Sequence, residues 1–487
     1  MSSSLYNSAK IINIYVHVLK KTDGTGGLTN TQVSDWIDLL CQDFSVHNIA
    51  IRLIGQSDIR NTSYYNGITF DSYSQLINTN THSNAIDIYM LSPNDTYSRA
   101  SAIPGIALAI GGYYVGTSVF SHEFGHCLGL FHTHSGRGCN DPLNCSENIN
   151  GSNCSTCGDL VCDTPADPCL SGKVDANCIY TGDSSFSPDV NNIMSYSRVS
   201  CLNRITIGQS ERFHSIISTH SLFTNRTAFI TLSGTSTVCP FNSSFNLNNL
   251  PTGATVFWET SNNINISTSN NNSVTVQSSS STVRGDGWIR ATINNGCGNI
   301  EVEKEVWVER LPANPSLMQG SSNVVPNAWE YYSVSSQAEA NSYTWNIPSG
   351  WSFHHTSSTT SNQVLLVTGS SSGSVAVRAN NECGVSNYRP KYVTVTGDDC
   401  GSPVCYFTYS PNPVEETLTV EMEPTSFDIS SNDKYQISLN NQYGKVVYEA
   451  ESNSICHDID MKKMPKGMYR IVVSHRGKQQ IAKILKQ

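Results

Sequence analysis

Residues 122–132 read HEFGHCLGLFH, which sets three histidines, a glutamate and a glycine at spacings that suit one metal ion. On an α-helix, residues four apart share a face, so His122 and His126 can aim imidazole nitrogens at a single ion about 2.0–2.1 Å away. Glu123 lies one position round the helix. From there its carboxylate reaches a water beside the metal rather than the ligand set, the general-base position of H-E-x-x-H sequences. Gly129 can end the helix with positive φ, so the chain turns back and His132 becomes a third ligand. Three imidazoles suit zinc and leave its fourth position open for water or a substrate carbonyl. Zinc lowers the pKa of bound water toward about 7, and Glu123 would take that proton and return it to a departing amine. Any one of these histidines alone reads as an ordinary core or surface residue. Five specified positions in one run do not. His134 has no slot in the pattern and reads as lying behind the ligands or facing solvent. Cys127, on another face of the helix, reads as a buried packing thiol.

A second run, NNIMSY over Asn191–Tyr196, places Met194 62 residues after His132. An extended H-E-x-x-H-x-x-G-x-x-H sequence belongs with such a methionine turn. Together with CDTPAD over residues 162–167 and the later Cys201, these motifs give a chain that resembles the metzincin zinc metalloproteases, specifically the pappalysin group in its bacterial secreted branch. The resemblance covers about residues 10–220.

It implies that Met194 forms an apolar floor under the zinc and that Tyr196 approaches the metal or hydrogen-bonds the tetrahedral intermediate; a plain core tyrosine is the competing reading. It also implies an edge strand within Ser98–Ala109 that binds extended substrate by backbone pairing. Relatives hold structural calcium where Asp159, Asp163, Thr164 and Asp167 offer hard oxygen ligands here, although a solvated acidic loop has the same composition. The bridges implied are Cys139 with Cys178 and Cys169 with Cys201. Relatives that prefer arginine or lysine after the scissile bond carry acidic residues near the methionine turn. Here that stretch is Ser195, Ser197, Arg198, Val199 and Ser200, so the preference is not carried over, with Asp183 and Asp189 as the nearest carboxylates in sequence.

The elements that must position the motif are legible upstream. Ile11–Leu19 is apolar and β-branched, which predicts a strand, and Thr31–Phe44 has apolar residues at helical spacing. Ala50–Ile54 and Ala85–Leu91 read as further strands. The metal-binding helix is expected to begin near Thr117 or Ser118, both acceptable N-caps. Pro104 suits an edge rather than a central strand.

Sixteen cysteines, ten of them before residue 202, point to an oxidising compartment. Seven of these, from Cys139 to Cys178, crowd one Gly/Asn/Asp-rich stretch that reads as a disulfide-stapled loop. A second zinc site at Cys154, Cys157 and Cys162 is the rival reading.

Beyond about residue 230 short alternating runs separated by Asn/Ser/Gly turns predict β-sandwich modules. A diverged repeat pairs Trp258 and Cys297 with Trp345 and Cys383. Each unit resembles the immunoglobulin-like PKD modules of bacterial exoenzymes, with Trp258 and Trp345 read as core residues and sugar-stacking aromatics as the alternative. Cys239 has Cys297 as its candidate partner, and Cys383 has Cys400 or Cys405. Residues from Tyr409 through Pro411-Asn412-Pro413 to the Lys-rich end resemble the C-terminal sorting domain of the type IX secretion system.

The organisation expected is therefore a zinc peptidase domain at 1–232, sandwiches at 233–310 and 311–397, and a sorting domain at 398–487: an α+β metzincin-like domain followed by all-β modules. The net charge of −10, with 14% charged residues, argues against a nucleic-acid surface. No run of 18 apolar residues exists to span a membrane. The start, MSSSLYNSAK, shows no basic and apolar leader pattern. The function expected is a secreted or surface-displayed zinc endopeptidase acting on proteins or peptides, with the secretion machinery as partner of the C-terminal domain. The alternative is a surface adhesin or glycan-binding protein carrying an inactive metzincin domain.

Overall fold

The computed structural model describes residues 9–139, 141, 145–296, 298–396, 406–423 and 434–487. The chain divides into two compact units: one up to Ser236 together with 241–277 and 286–307, the other 237–240, 278–285 and 308–487.

The first unit is built on strand β1 (Ala9–Lys20), whose even-numbered Ile12, Ile14, Val16 and Val18 face one side and odd-numbered residues the other. Helix α1 (Asn30–Ser45) begins at Thr29, where a Thr29/Gln32 capping box satisfies its first N–H groups. It lays Val33, Trp36, Leu40 and Phe44 on the even face of β1. Strand β2 (Ile49–Arg60) follows, then two short helices, α2 (Thr62–Tyr65) and α3 (Phe70–Leu76), which the sequence pattern did not foretell. Strands β3 (Ile86–Met90), β4 (Ser98–Ala100) and β5 (Ala107–Ile110) extend the sheet. Strand β1 pairs in parallel with β2 and β3, β3 in parallel with β5, and β4 is antiparallel to β5 at the sheet's end. The edge strand expected within Ser98–Ala109 is thus β4.

Helix α4 (Val119–Cys127) packs Phe120 and Phe124 into the core shared by β1 and α1. It starts after Ser118 as expected, but Ser118 does not cap it. Its hydroxyl instead donates to Leu202 O at 3.0 Å, tying the helix start to the chain beyond the methionine turn. Helix α5 (Ile207–Thr219), capped by a Thr206/Gln209 box, closes the same core with Phe213 and Ile217.

Strand β6 (Thr227–Ser233) pairs with Ala9–Ile12 of β1 on one side and with the strand Ser243–Asn248 on the other. One sheet therefore runs without interruption across residue 232. In the following sandwich Trp258 is buried, and its indole N–H donates to Asn270 O at 2.8 Å. Trp345 in the second unit is buried likewise, donating to Ser361 O at 2.8 Å. Both are core residues, and neither offers a face to a sugar.

The second unit contains two further sandwiches. The first places strands Trp329–Ser333 and Gln363–Val367 over a sheet that includes Ser342–Asn346, Gly373–Asn381 and Arg389–Val395. The second sets Phe407–Ser410, Thr417–Met422 and Cys456–Asp460 over the antiparallel strands Tyr435–Asn441, Val446–Ser452, Gly467–His475 and Lys478–Lys486.

The disulfides differ from those implied by family resemblance. Cys139 joins Cys169 and Cys178 joins Cys201, so the same four cysteines are used in a different pairing. Cys145–Cys157 and Cys154–Cys162 occupy the sulfurs of the rival zinc reading and remove it. Cys239 bonds Cys383, not Cys297, because the loops bearing Cys239 and Cys383 bring their Cα atoms to 5.4 Å. Cys297, Cys400 and Cys405 lie outside the described residues.

Candidate active site

The helical register of α4 brings His122 and His126 onto one face, and Gly129, at φ +92°, reverses the chain. His132 then returns to the same point. The Nε2 atoms of His122 and His132 lie 3.2 and 3.0 Å from Nε2 of His126. Each ring's other nitrogen is engaged: His122 Nδ1 with Ile193 O at 2.7 Å, His126 Nδ1 with Leu130 O at 2.8 Å, and His132 Nδ1 with Asp141 Oδ2 at 2.8 Å. Because those partners accept, Nδ1 of each ring carries the proton and three Nε2 lone pairs converge. Burial pushes the imidazole pKa of His122 down to about 3, and that of His126 well below its usual value for the same reason, so both stay neutral. Converging neutral imidazoles repel one another unless a cation sits between them. The donor set fits zinc.

Glu123 is buried beside this cluster, and desolvation raises its pKa to about 7 against the opposing pull of an Ala100 backbone hydrogen bond and the Arg99 charge. Edge strand β4 therefore touches the general-base candidate directly. Met194 is fully buried beneath the helix, where a Cβ on Gly125 would meet its Sδ at 2.6 Å. Glycine at position 125 thus leaves room for the Met194 side chain. The turn is held by Asn192, whose side chain accepts from Met194 N at 2.9 Å and exchanges two hydrogen bonds, of 2.9 and 3.1 Å, with Gln209. Tyr196 sets its ring 4.6 Å from that of His132 and 5.9 Å from that of His122, and is 41% exposed, so it borders the cleft rather than the core.

His134 does not face solvent. Its ring stacks on His132 at 4.7 Å and 8°, and it is 1% exposed with both ring nitrogens buried and without partners among the described residues. Cys127 is buried as expected, its thiol pKa pushed up by desolvation, with Sγ 3.5 Å from Ala107 O.

The four candidate calcium ligands do not gather at one point. Asp163 instead accepts from Thr206 Oγ1 at 2.7 Å and Gly208 N at 2.8 Å at the start of α5. Asp167 accepts from Thr133 and Ser195 hydroxyls at 2.6 and 3.0 Å. Asp159 holds Thr164 Oγ1 at 3.0 Å, and the group that shares its neighbourhood is Glu147, which the sequence reading omitted. Asp141, Asn192 and Gln209 were also missed; they orient ligands from distant sequence positions, and no local pattern marks them. Asp189 pairs with Arg204 at 2.5 Å, and Asp183 lies in an exposed turn.

Residues 107–218 match the peptidase family model described as Pregnancy-associated plasma protein-A. These residues are a pappalysin-family metallopeptidase domain. Residues 311–394 match a PKD-like domain and 409–487 a secretion system C-terminal sorting domain, which marks the chain for secretion or surface display. The chain is 28% identical over 237 residues to an extracellular metalloprotease of Verticillium alfalfae, covering 43% of this chain and 76% of the relative. It is 27% identical over 284 residues to Karilysin of Tannerella forsythia, covering 53% of this chain and 57% of that protein. The chain thus spans little more than half the length of Karilysin. Among solved structures it is similar to an I-band fragment of titin, at TM-score 0.24 and 13% identity, over 53% of this chain and 97% of that one. No helix among the described residues is long and apolar enough to cross a membrane.

Proposed function

We propose that the chain is a secreted endopeptidase that binds one catalytic zinc through His122, His126 and His132 and cleaves extracellular proteins or peptides. The observation that carries this reading is that Nε2 of His122 and Nε2 of His132 both lie within 3.2 Å of Nε2 of His126 while every Nδ1 is engaged elsewhere. When bound, zinc supplies a Lewis acid for the scissile carbonyl and for the attacking water. Glu123 takes a proton from that water on its carboxylate and passes it to the leaving amine nitrogen. Tyr196, at the cleft rim, donates its phenolic proton in a hydrogen bond to the oxygen that becomes negative. Among the described residues strand β4 is paired on one side only, and its other edge, beside Glu123, is where an extended substrate pairs its backbone.

A structural calcium belongs to the same reading. Asp159 Oδ2 and Glu147 Oε2 are buried with no hydrogen-bond partner among the described residues, and desolvation pushes the Asp159 carboxyl up to about 8, with Glu147 adding to the rise. Two such oxygens fit a hard cation. The peptidase domain is assigned to 1–232, sandwich modules to 233–310 and 311–397, and the domain read by the secretion machinery to 398–487.

Casein digestion by the full chain tests the proposal. Activity should vanish with a chelator and return with zinc. Glu123→Ala should keep its zinc while losing ~10² to 10⁴ in rate. Turnover unchanged in that variant, or indifferent to the chelator, rejects the mechanism.

A further inference from the structure

A second group of nitrogen and oxygen donors lies on the face of the sheet opposite α1 and α4. Parallel pairing sets Ser57, His17 and Tyr89 in one row across β2, β1 and β3, and Gly55, Tyr15 and Asp87 in the next. His82 arrives from the loop before β3. Its Nδ1 lies 2.7 Å from Asp87 Oδ1, and His17 Nε2 lies 3.0 Å from the same oxygen. The three donor atoms lie within 4.8 Å of one another, and the other oxygen of Asp87, Oδ2, accepts from His82 N at 2.8 Å.

The surroundings fix each ring. His17 Nδ1 is 3.1 Å from Ser57 Oγ, and the His17 ring stacks on Tyr89 at 4.6 Å. The ring of Tyr15 stacks on His82 at 3.7 Å. A bulge that skips Ile54 sets Gly55 opposite Tyr15, where a Cβ would meet the Tyr15 ring at 2.5 Å, so glycine makes room for this roof. Arg226 donates to Ala85 O at 2.8 Å and His82 O at 3.1 Å, holding the loop in place. His17 is 0% and Asp87 2% exposed, whereas the His82 side chain is 29% exposed. The group is rigid at the back and open to water on one side.

We propose that His17 Nε2, Asp87 Oδ1 and His82 Nδ1 bind a second, non-catalytic zinc ion, with water in the fourth position. With its Nδ1–H donated to Ser57, His17 would present a lone pair at Nε2, and His82 protonated at Nε2 would present one at Nδ1. Two imidazoles and one carboxylate suit a borderline divalent cation, and a water on the open side completes four-coordination. The ion pins the loop carrying His82 to the sheet that bears the peptidase core.

The test is zinc content of the purified full chain after loading with zinc and dialysis against metal-free buffer. Wild type should hold one more equivalent of zinc than either His82→Ala or His82→Gln, both of which should still cleave casein at the wild-type rate. His122→Ala, lacking a catalytic ligand, should keep the second ion, and the double variant His122→Ala/His82→Gln should lose it. Equal zinc in wild type and His82→Gln overturns the assignment whatever becomes of the catalytic site. His82→Gln preserves bulk and polarity, so it decides the matter should the alanine variant unfold.

Discussion

The Ser195 hydroxyl donates to Asp167 Oδ2 at 3.0 Å, tying the residue after the Met194 turn to a carboxylate 28 positions upstream. That carboxylate is 2% exposed, and two hydroxyls already claim it. The space beside Glu123, about 320 Å³ and walled by Tyr114, Val119, Ser195, Ser197, Val199 and Leu202, therefore presents hydroxyls and apolar surface. Its substrate side chain should be neutral. A peptide-library digest should show no preference for Arg or Lys after the scissile bond. A strong basic preference in the wild type would refute this.

Tyr196 stands over the ligand rings, half out of the protein. Tyr196→Phe removes only its donor. The expected result is a fall of about 10² in kcat with little change in KM and none in zinc content. A change confined to KM would instead make Tyr196 a binding residue.

Acid should loosen the first unit through the Lys10–His214 contact. Lys10 Nζ lies 2.7 Å from His214 Nδ1, and His214 Nε2 lies 2.7 Å from His47 O. Burial, then the Lys10 charge, lowers the His214 pKa to about 4. A histidine whose folded pKa is lowered binds its proton more readily when unfolded. Its contribution is complete above about 6.5, the unfolded value, and is lost as pH falls toward 4. The difference is on the order of 3 kcal/mol. Urea titrations at pH 7 and pH 4.5 should show that loss in the wild type and a clearly smaller one in His214→Gln.

Calcium should matter most at alkaline pH. The Asp159 pKa is raised to about 8 in the fold, so without a cation its favourable contribution is complete below about 3.8 and disappears as pH rises through 8. In calcium-free buffer Tm should fall between pH 6 and pH 9. Added calcium should restore it in the wild type but not in Glu147→Gln. Identical calcium responses in the two proteins would place the ion elsewhere.

The zinc motif was legible because an α-helix repeats every 3.6 residues: His122, Glu123 and His126 needed only local periodicity and Gly129 only a local turn. The same local reasoning found α1, β1 and β3 within two residues at their ends and the start of β2, missing the last six residues of β2, while the resemblance to sandwich modules placed Trp258 and Trp345 in cores. Tertiary contacts decided what remained. Asp141, Ile193 and Leu130 orient the imidazoles; Asp163 caps α5, leaving Glu147 beside Asp159; and Cys139 takes Cys169 as its partner. His17, His82 and Asp87 come from a strand, a loop and a neighbouring strand. Local sequence fixes the direction of a side chain relative to its own backbone, whereas the group it meets depends on sheet register and loop closure, which are set by distant parts of the chain.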